Sequence, residues 1–225
     1  MHVRSSLTDI PWDRWSHPIY TKVRFLVGSS SCAGKPFWGT LISKHLAEFA
    51  DLGHKLFRTT PETYPIAFVP GDAFDPKHLE VVPPFTTANA PSGSAPDLRS
   101  LTSLNPLRGR VDAIHASSFF HLFDEEKQLY LARALAGLLS PKPGSMIFGL
   151  HVGLAEKGFR PSLRGGTRRL FCHSPESWAQ VWDGMVFEKG VVIVRSKLVQ
   201  VEKKYFEGTE APEQISVLVW SVTRS

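Results

Sequence analysis

The sequence predicts an α/β fold: a mostly parallel sheet flanked by helices, with an antiparallel hairpin at its C-terminal end. Three patterns carry this expectation. Short apolar runs ending in small residues alternate with stretches of helical spacing through most of the chain. One of those stretches, Asp124 to Leu139, has clear start and stop signals. The last two apolar stretches, Val191 to Phe206 and Gln214 to Thr223, alternate every second residue around Gly208 to Glu213.

Length and composition set the frame. The 225 residues fit one domain spanning 1–225, and 42% hydrophobic with 21% charged residues is ordinary for a chain that buries a core. No apolar run approaches the roughly 20 residues a bilayer span needs. Met1 to Trp15 has no apolar centre, so neither a membrane partner nor a secretory leader is expected. Two cysteines, Cys32 and Cys172, make no disulfide framework, and a reducing cytoplasmic setting is the default. The net charge of +5 comes from dispersed basic residues, so solvated faces are expected rather than a nucleic-acid partner.

In chain order, residues 1–22 are rich in Trp, His and Pro (Trp12, Trp15, His17, Pro18, Tyr20) and read as a segment docked on the body or covering a pocket. Val23 to Val27 is the first strand, followed by Gly28-Ser29-Ser30-Ser31-Cys32-Ala33-Gly34-Lys35, small residues of the kind that cradle phosphate or a nucleotide. Tested against G-x-x-x-x-G-K-[ST], the loop fails twice. Five residues separate Gly28 from Gly34, and Pro36 replaces the hydroxyl that would hold magnesium. A P-loop phosphotransferase therefore stays only as an alternative. Thr40 to Phe57 has helical spacing, interrupted at Gly53. Ile66 to Val69 reads as a short strand running into Gly71-Asp72-Ala73-Phe74, where Asp72 either caps a helix or forms a turn, or reaches an adenine amino group.

A Pro/Ser-rich loop over residues 83–108 precedes Arg110 to Phe123, the organising stretch. Here Val111, Ala113 and Ile114 end in Ala116-Ser117-Ser118, and open α/β sheets bind ligands outside the carboxyl ends of their strands. Asp124 then caps a helix with Glu125 and Glu126 in its first turn, closed by Pro141 and Pro143-Gly144. Ser145 to Val152 is another strand, reaching His151. Gly158 to Arg169 reads as a Gly/Arg loop, and Ser174-Pro175 starts a second helix.

Several segments carry a family resemblance. Asp51 to Phe57, Val111 to Phe123 (VDAIHASSFFHLF), Gly144 to Gly149 and His173 to Trp178 (HSPESW) resemble fungal class I S-adenosylmethionine-dependent methyltransferases of secondary-metabolite clusters, the meroterpenoid type above all. The resemblance covers most of the chain from about His17 onward. It implies a Rossmann-like sheet ending in a reversed hairpin, S-adenosylmethionine as cofactor, and a small-molecule acceptor. It assigns Gly28, Asp72, Ala73, His115, Ala116, Ser117 and Ser118 to cofactor binding. Tyr20, His173 and Trp178 fall on the acceptor side, and His17 and Pro18 join Tyr20 in a closing N-terminal segment.

This sequence departs from that pattern in the cofactor half. Val27 stands where an acidic residue is usual, the glycine spacing is off, and Lys44 stands where an acidic residue would hold the ribose. Only 20 residues separate Gly28 from Phe49, against about 25 to 30 for a turn, helix, loop and strand.

The expected reaction is O- or C-methylation, with in-line positioning and water exclusion as the main contributions. His121, His151 and His173 lie nearest the predicted element ends and are the candidate bases, although a structural role is the commoner one for each. No metal-ligand spacing and no Ser-His-Asp signature is visible. The departures motivate an alternative, a catalytically impaired relative acting as a binding partner.

Overall fold

A computed structural model of the chain describes residues 22–26, 40–41, 55–56, 58–60, 62–63, 69, 71–94, 96–161, 169–203 and 213–225. Ten elements position the site. They are β1 (Lys22–Leu26), β2 (Thr40–Leu41), β3 (Ala113–Ser117), α1 (Glu125–Leu138), β4 (Met146–Val152), β5 (Gly158–Pro161), β6 (Arg169–Cys172), α2 (Pro175–Trp182), β7 (Val192–Lys203) and β8 (Glu213–Arg224). The main sheet has the order β2-β1-β3-β4-β8-β7, and β5 with β6 forms a separate ribbon.

β3, α1 and β4 make one strand–helix–strand unit, because a parallel neighbour can be reached only by a crossover. Helix α1 begins where the sequence says it should. The Asp124 side chain accepts from Lys127 N at 2.9 Å, and Glu125 and Glu126 stand at the positive end of the helix. Its C-terminal half (Leu131, Ala132, Ala134, Leu135, Ala136, Gly137, Leu138) is buried, in keeping with its run of small residues. The core lies between this helix, α2 and one face of the sheet, with Trp178, Trp182, Phe119 and Phe120 its largest fully buried side chains.

β3 and β4 approach closely: a Cβ on Gly149 would collide with the Ala116 carbonyl, so only glycine fits. The C-terminal hairpin is present as expected, β7 pairing with β8 along its full length. β8 fills the interior position between β4 and β7.

Several expectations are corrected. Of the five pairings in the main sheet only β3–β4 is parallel, so the sheet is mixed rather than mostly parallel. In particular β1 runs antiparallel to β3, with Leu26 beside Ala113 and Lys22 beside Ser117. An apolar run encodes burial but not direction, and that is why the pattern could not tell the two apart. Thr40 and Leu41, expected to open a helix, pair with β1, while the expected helix is seen only at Lys55–Leu56 among the described residues. The Gly158 to Arg169 segment, expected to be a loop, contributes β5 and the first residue of β6. Within 83–108, Leu104 and Leu107 are fully buried beside a 3-10 turn over Asn105–Leu107. No helix among the described residues is long and apolar enough to cross a membrane.

Candidate functional site

The carboxyl ends of the parallel pair form one edge, and four residues singled out in the sequence meet there. β3 runs out at Ser117, and Ser118 N donates to Leu150 O at 2.7 Å. Ser118 is exposed and adopts φ +52°, a left-handed conformation that a serine holds only when its surroundings impose it. The chain then dives inward, so Phe119 and Phe120 are fully buried and a 3-10 turn over Phe120–Leu122 brings His121 back to the edge. His151 stands next to last in β4.

From the other side comes β6, which ends at Cys172 and hands over to His173 and Ser174. Ser174 caps α2 reciprocally with Ser177, and Pro175 occupies the first helical position as predicted. That cap aims Trp178 into the core. Its indole lies 4.7 Å from the His151 ring, 5.2 Å from His173, 4.9 Å from Phe120 and 5.2 Å from Trp220, centroid to centroid. His121 stacks on His151 at 6.5 Å.

Burial decides the charge state of these imidazoles. His151 is 1% exposed, and desolvation, helped by the neighbouring His121 and His173, holds its pKa well below the ordinary histidine value. His173 is pushed down to about 4, again chiefly by burial; Glu125 pulls it up and Lys157 pushes it down by less. Both rings are therefore neutral at pH 7. His173 Nδ1 lies 2.9 Å from Ser177 Oγ, and Trp220 Nε1–H donates to His151 Nδ1 at 3.0 Å. The thiol of Cys172, beside this cluster in sequence, is buried and pushed up to about 11, so it is no nucleophile.

The residues assigned to cofactor binding are divided. Strand alternation puts Ala116 on the core face with Ile114, whereas His115 and Ser117 point to the opposite face. There His115 Nε2 and Ser117 Oγ lie 2.7 Å apart, and Phe148 stands 5.0 Å from the His115 ring. Asp72 forms a turn, its Oδ1 accepting from Phe74 N at 2.9 Å, and Ala73 is buried. Phe74 carries this turn against Phe123 at 5.1 Å, which in turn meets Phe119 at 5.5 Å, so Asp72 is linked to the same edge. Gly28, Tyr20, His17, Pro18, Val27 and Lys44 lie outside the described residues. The strand leading to Gly28 ends beside Ala113, at the edge remote from Ser117.

Phe120, from the Val111 to Phe123 stretch, and Trp220 complete the cluster, and Trp220 carries no signal of its own in the sequence, since it reads as an ordinary core aromatic. Among the described residues no group of three or more metal-ligating side chains is gathered.

The donor set suits part of a nucleoside-bearing sulfonium. Asp72 is exposed and its second carboxylate oxygen has no partner among the described residues, and the strand end is small enough for close approach.

The chain is homologous to fungal methyltransferases of the secondary-metabolite type. It is 32% identical over 160 residues to the O-methyltransferase phiE of Fungal sp. (strain ATCC 74256), covering 70% of this chain and 44% of that protein. Over 87 residues it is 37% identical to the Asnovolin E/Chermesin D methyltransferase nvfJ of Aspergillus novofumigatus, 39% of this chain and 31% of the relative. The O-methyltransferase atr3 of Stereocaulon alpinum matches at 28% over 136 residues, 60% of this chain and 32% of that one. The chain thus spans less than half the length of these relatives. No family model matches it.

Proposed function

We propose that this chain acts in S-adenosylmethionine-dependent methyl transfer to an oxygen or carbon of a small, apolar secondary metabolite. The observation that carries the reading is the meeting of His121, His151, His173 and Trp178 at the carboxyl edge of the parallel pair, in a chain whose homologues are named methyltransferases. Asp72 and Ala73 would hold the adenine end of the cofactor, and His115, Ala116, Ser117 and Ser118 its methionine end. When bound, S-adenosylmethionine supplies an electrophilic methyl group on a sulfonium.

This chain's own part is placement. Trp178 and Phe120 offer apolar walls to the acceptor, and their burial keeps water from competing. His173 is the residue best placed to take a proton. Its ring is neutral, and Ser177 Oγ engages one nitrogen and leaves the other for the acceptor. So weak a base suits an acidic enol or phenol rather than an alkyl alcohol.

The reading is tested by calorimetric titration of the purified chain with S-adenosylhomocysteine, with Asp72→Ala as the control. Asp72 is exposed and bonds only within its own turn, so the variant is expected to stay folded. Saturable binding weakened about tenfold or more by the substitution is the expected result, a loss of roughly 1.4 kcal/mol. Absence of heat from folded wild-type protein would overturn it in favour of an impaired relative that serves as a binding partner.

A further inference from the structure

His151 and Trp220 stand 69 residues apart in sequence and meet in the core, the indole Nε1–H donating to His151 Nδ1. An indole nitrogen only donates, so the ring nitrogen it meets must present a lone pair. A neutral imidazole with a bare Nδ1 carries its proton on Nε2. An imidazolium would set two N–H groups against each other. Trp220 therefore selects one tautomer of one charge state. The Nε2–H that results is buried and meets no acceptor among the described residues, nor do the indole N–H groups of Trp178 and Trp182 in the same cluster, whereas folded proteins match most of their buried donors. Around it stand Trp178, Phe120 and His121, at 4.7, 5.8 and 6.5 Å between ring centroids, none bringing an oxygen.

We propose that Trp220 fixes His151 as a neutral hydrogen-bond donor, and that its Nε2–H grips a carbonyl oxygen of an apolar ligand held against Trp178. His151 thus recognises the acceptor and does not deprotonate it; Trp220 is a positioning residue. The identity of that ligand as the methyl acceptor rests on the methyl-transfer reading, whereas the tautomer and the donor do not. Burial of the ring acts in the same direction, disfavouring the charged form.

The test uses the full chain with 15N-labelled histidine. Long-range proton–nitrogen correlations, assigned to His151 through its contacts with Trp220, should show a bare Nδ1 and a protonated Nε2. Trp220→Phe should erode that preference towards a mixture. Titration with cyclohexanone should then displace the Nε2–H resonance saturably, while methylenecyclohexane, its hydrocarbon match, should leave it in place. A proton on Nδ1 in the wild-type chain would overturn the proposal, with no variant needed. So would a resonance that the ketone does not move, or that both probes move alike; the donor would then be satisfied by the Trp178 ring face. A chain that ignores S-adenosylhomocysteine yet answers to the ketone would lose the methyl-transfer reading and keep this one.

Discussion

His173 offers a quantitative test of the site's electrostatics. The perturbation is acid. Burial lowers its pKa in the folded chain from 6.5 to about 4, so between those values the unfolded chain binds a proton that the folded chain refuses. The stability from this group is therefore fully present above pH 6.5 and is lost as the pH falls. At about 1.4 kcal/mol per pH unit, the loss from pH 7 to pH 5 is about 2 kcal/mol, approaching 3 kcal/mol near pH 4. His151 is lowered for the same reason and adds in the same direction. Urea unfolding at pH 7 and pH 5, on the wild type and on His173→Asn, isolates the contribution. The variant begins less stable because its ring is gone, but it should lose about 2 kcal/mol less across the interval. Equal losses in the two proteins would mean that His173 titrates normally, and the reasoning from burial would be wrong.

Three further outcomes follow from the geometry. Gly149→Ala sets a methyl into the Ala116 carbonyl and must spread β3 from β4; a loss of about 3 kcal/mol is expected in thermal melts, and an unchanged midpoint would contradict the packing. Ser174→Ala removes the α2 cap, at a cost of about 1 kcal/mol by chemical denaturation, while Ser177→Ala removes the other half of the same box and should not add fully to it. Cys172 should resist alkylation at pH 8 until denaturant is added, because its thiol is buried and pushed up to about 11; peptide mass analysis showing prompt labelling in the folded state would refute that.

The legible parts of the fold were those written in local chemistry. Asp124 with Glu125 and Glu126, and Ser174 with Pro175, mark helix starts through side chains that bond within one turn. The long alternation of β7 and β8 is equally local. Strand direction is not, and β1 shows it: its pairing with β3 joins segments some ninety residues apart through backbone groups that every residue shares. Gly158 to Arg169 looked like a loop for its glycines and arginines, yet Phe159 and Arg160 pair with Phe171 and Leu170.

The candidate site divides in the same way. His121, His151, His173 and Trp178 could each be named from their places at element ends, but their meeting depends on four separate elements. Trp220 is the clearest omission, since nothing near it in the sequence distinguishes a core indole from one that holds a histidine. The run His115 to Ser118 resembled a single binding strip, whereas its pleat sends alternate side chains to opposite faces.

One side chain gives the edge its mechanical character. Gln128, buried on α1, donates from Nε2 to the carbonyls of Phe123 and Phe171, at 2.9 and 3.1 Å. A two-stranded ribbon such as β5–β6 persists poorly on its own in water. Tied to the helix by this strut, it can peel away only by breaking the bond to Phe171, which leaves the buried amide nitrogen with Phe123 alone. The ribbon, the turn before α1 and the first coils of the helix should consequently open as one unit in hydrogen exchange, slower than the ribbon alone would allow. Whatever ligand reaches the histidines would enter between walls that breathe together.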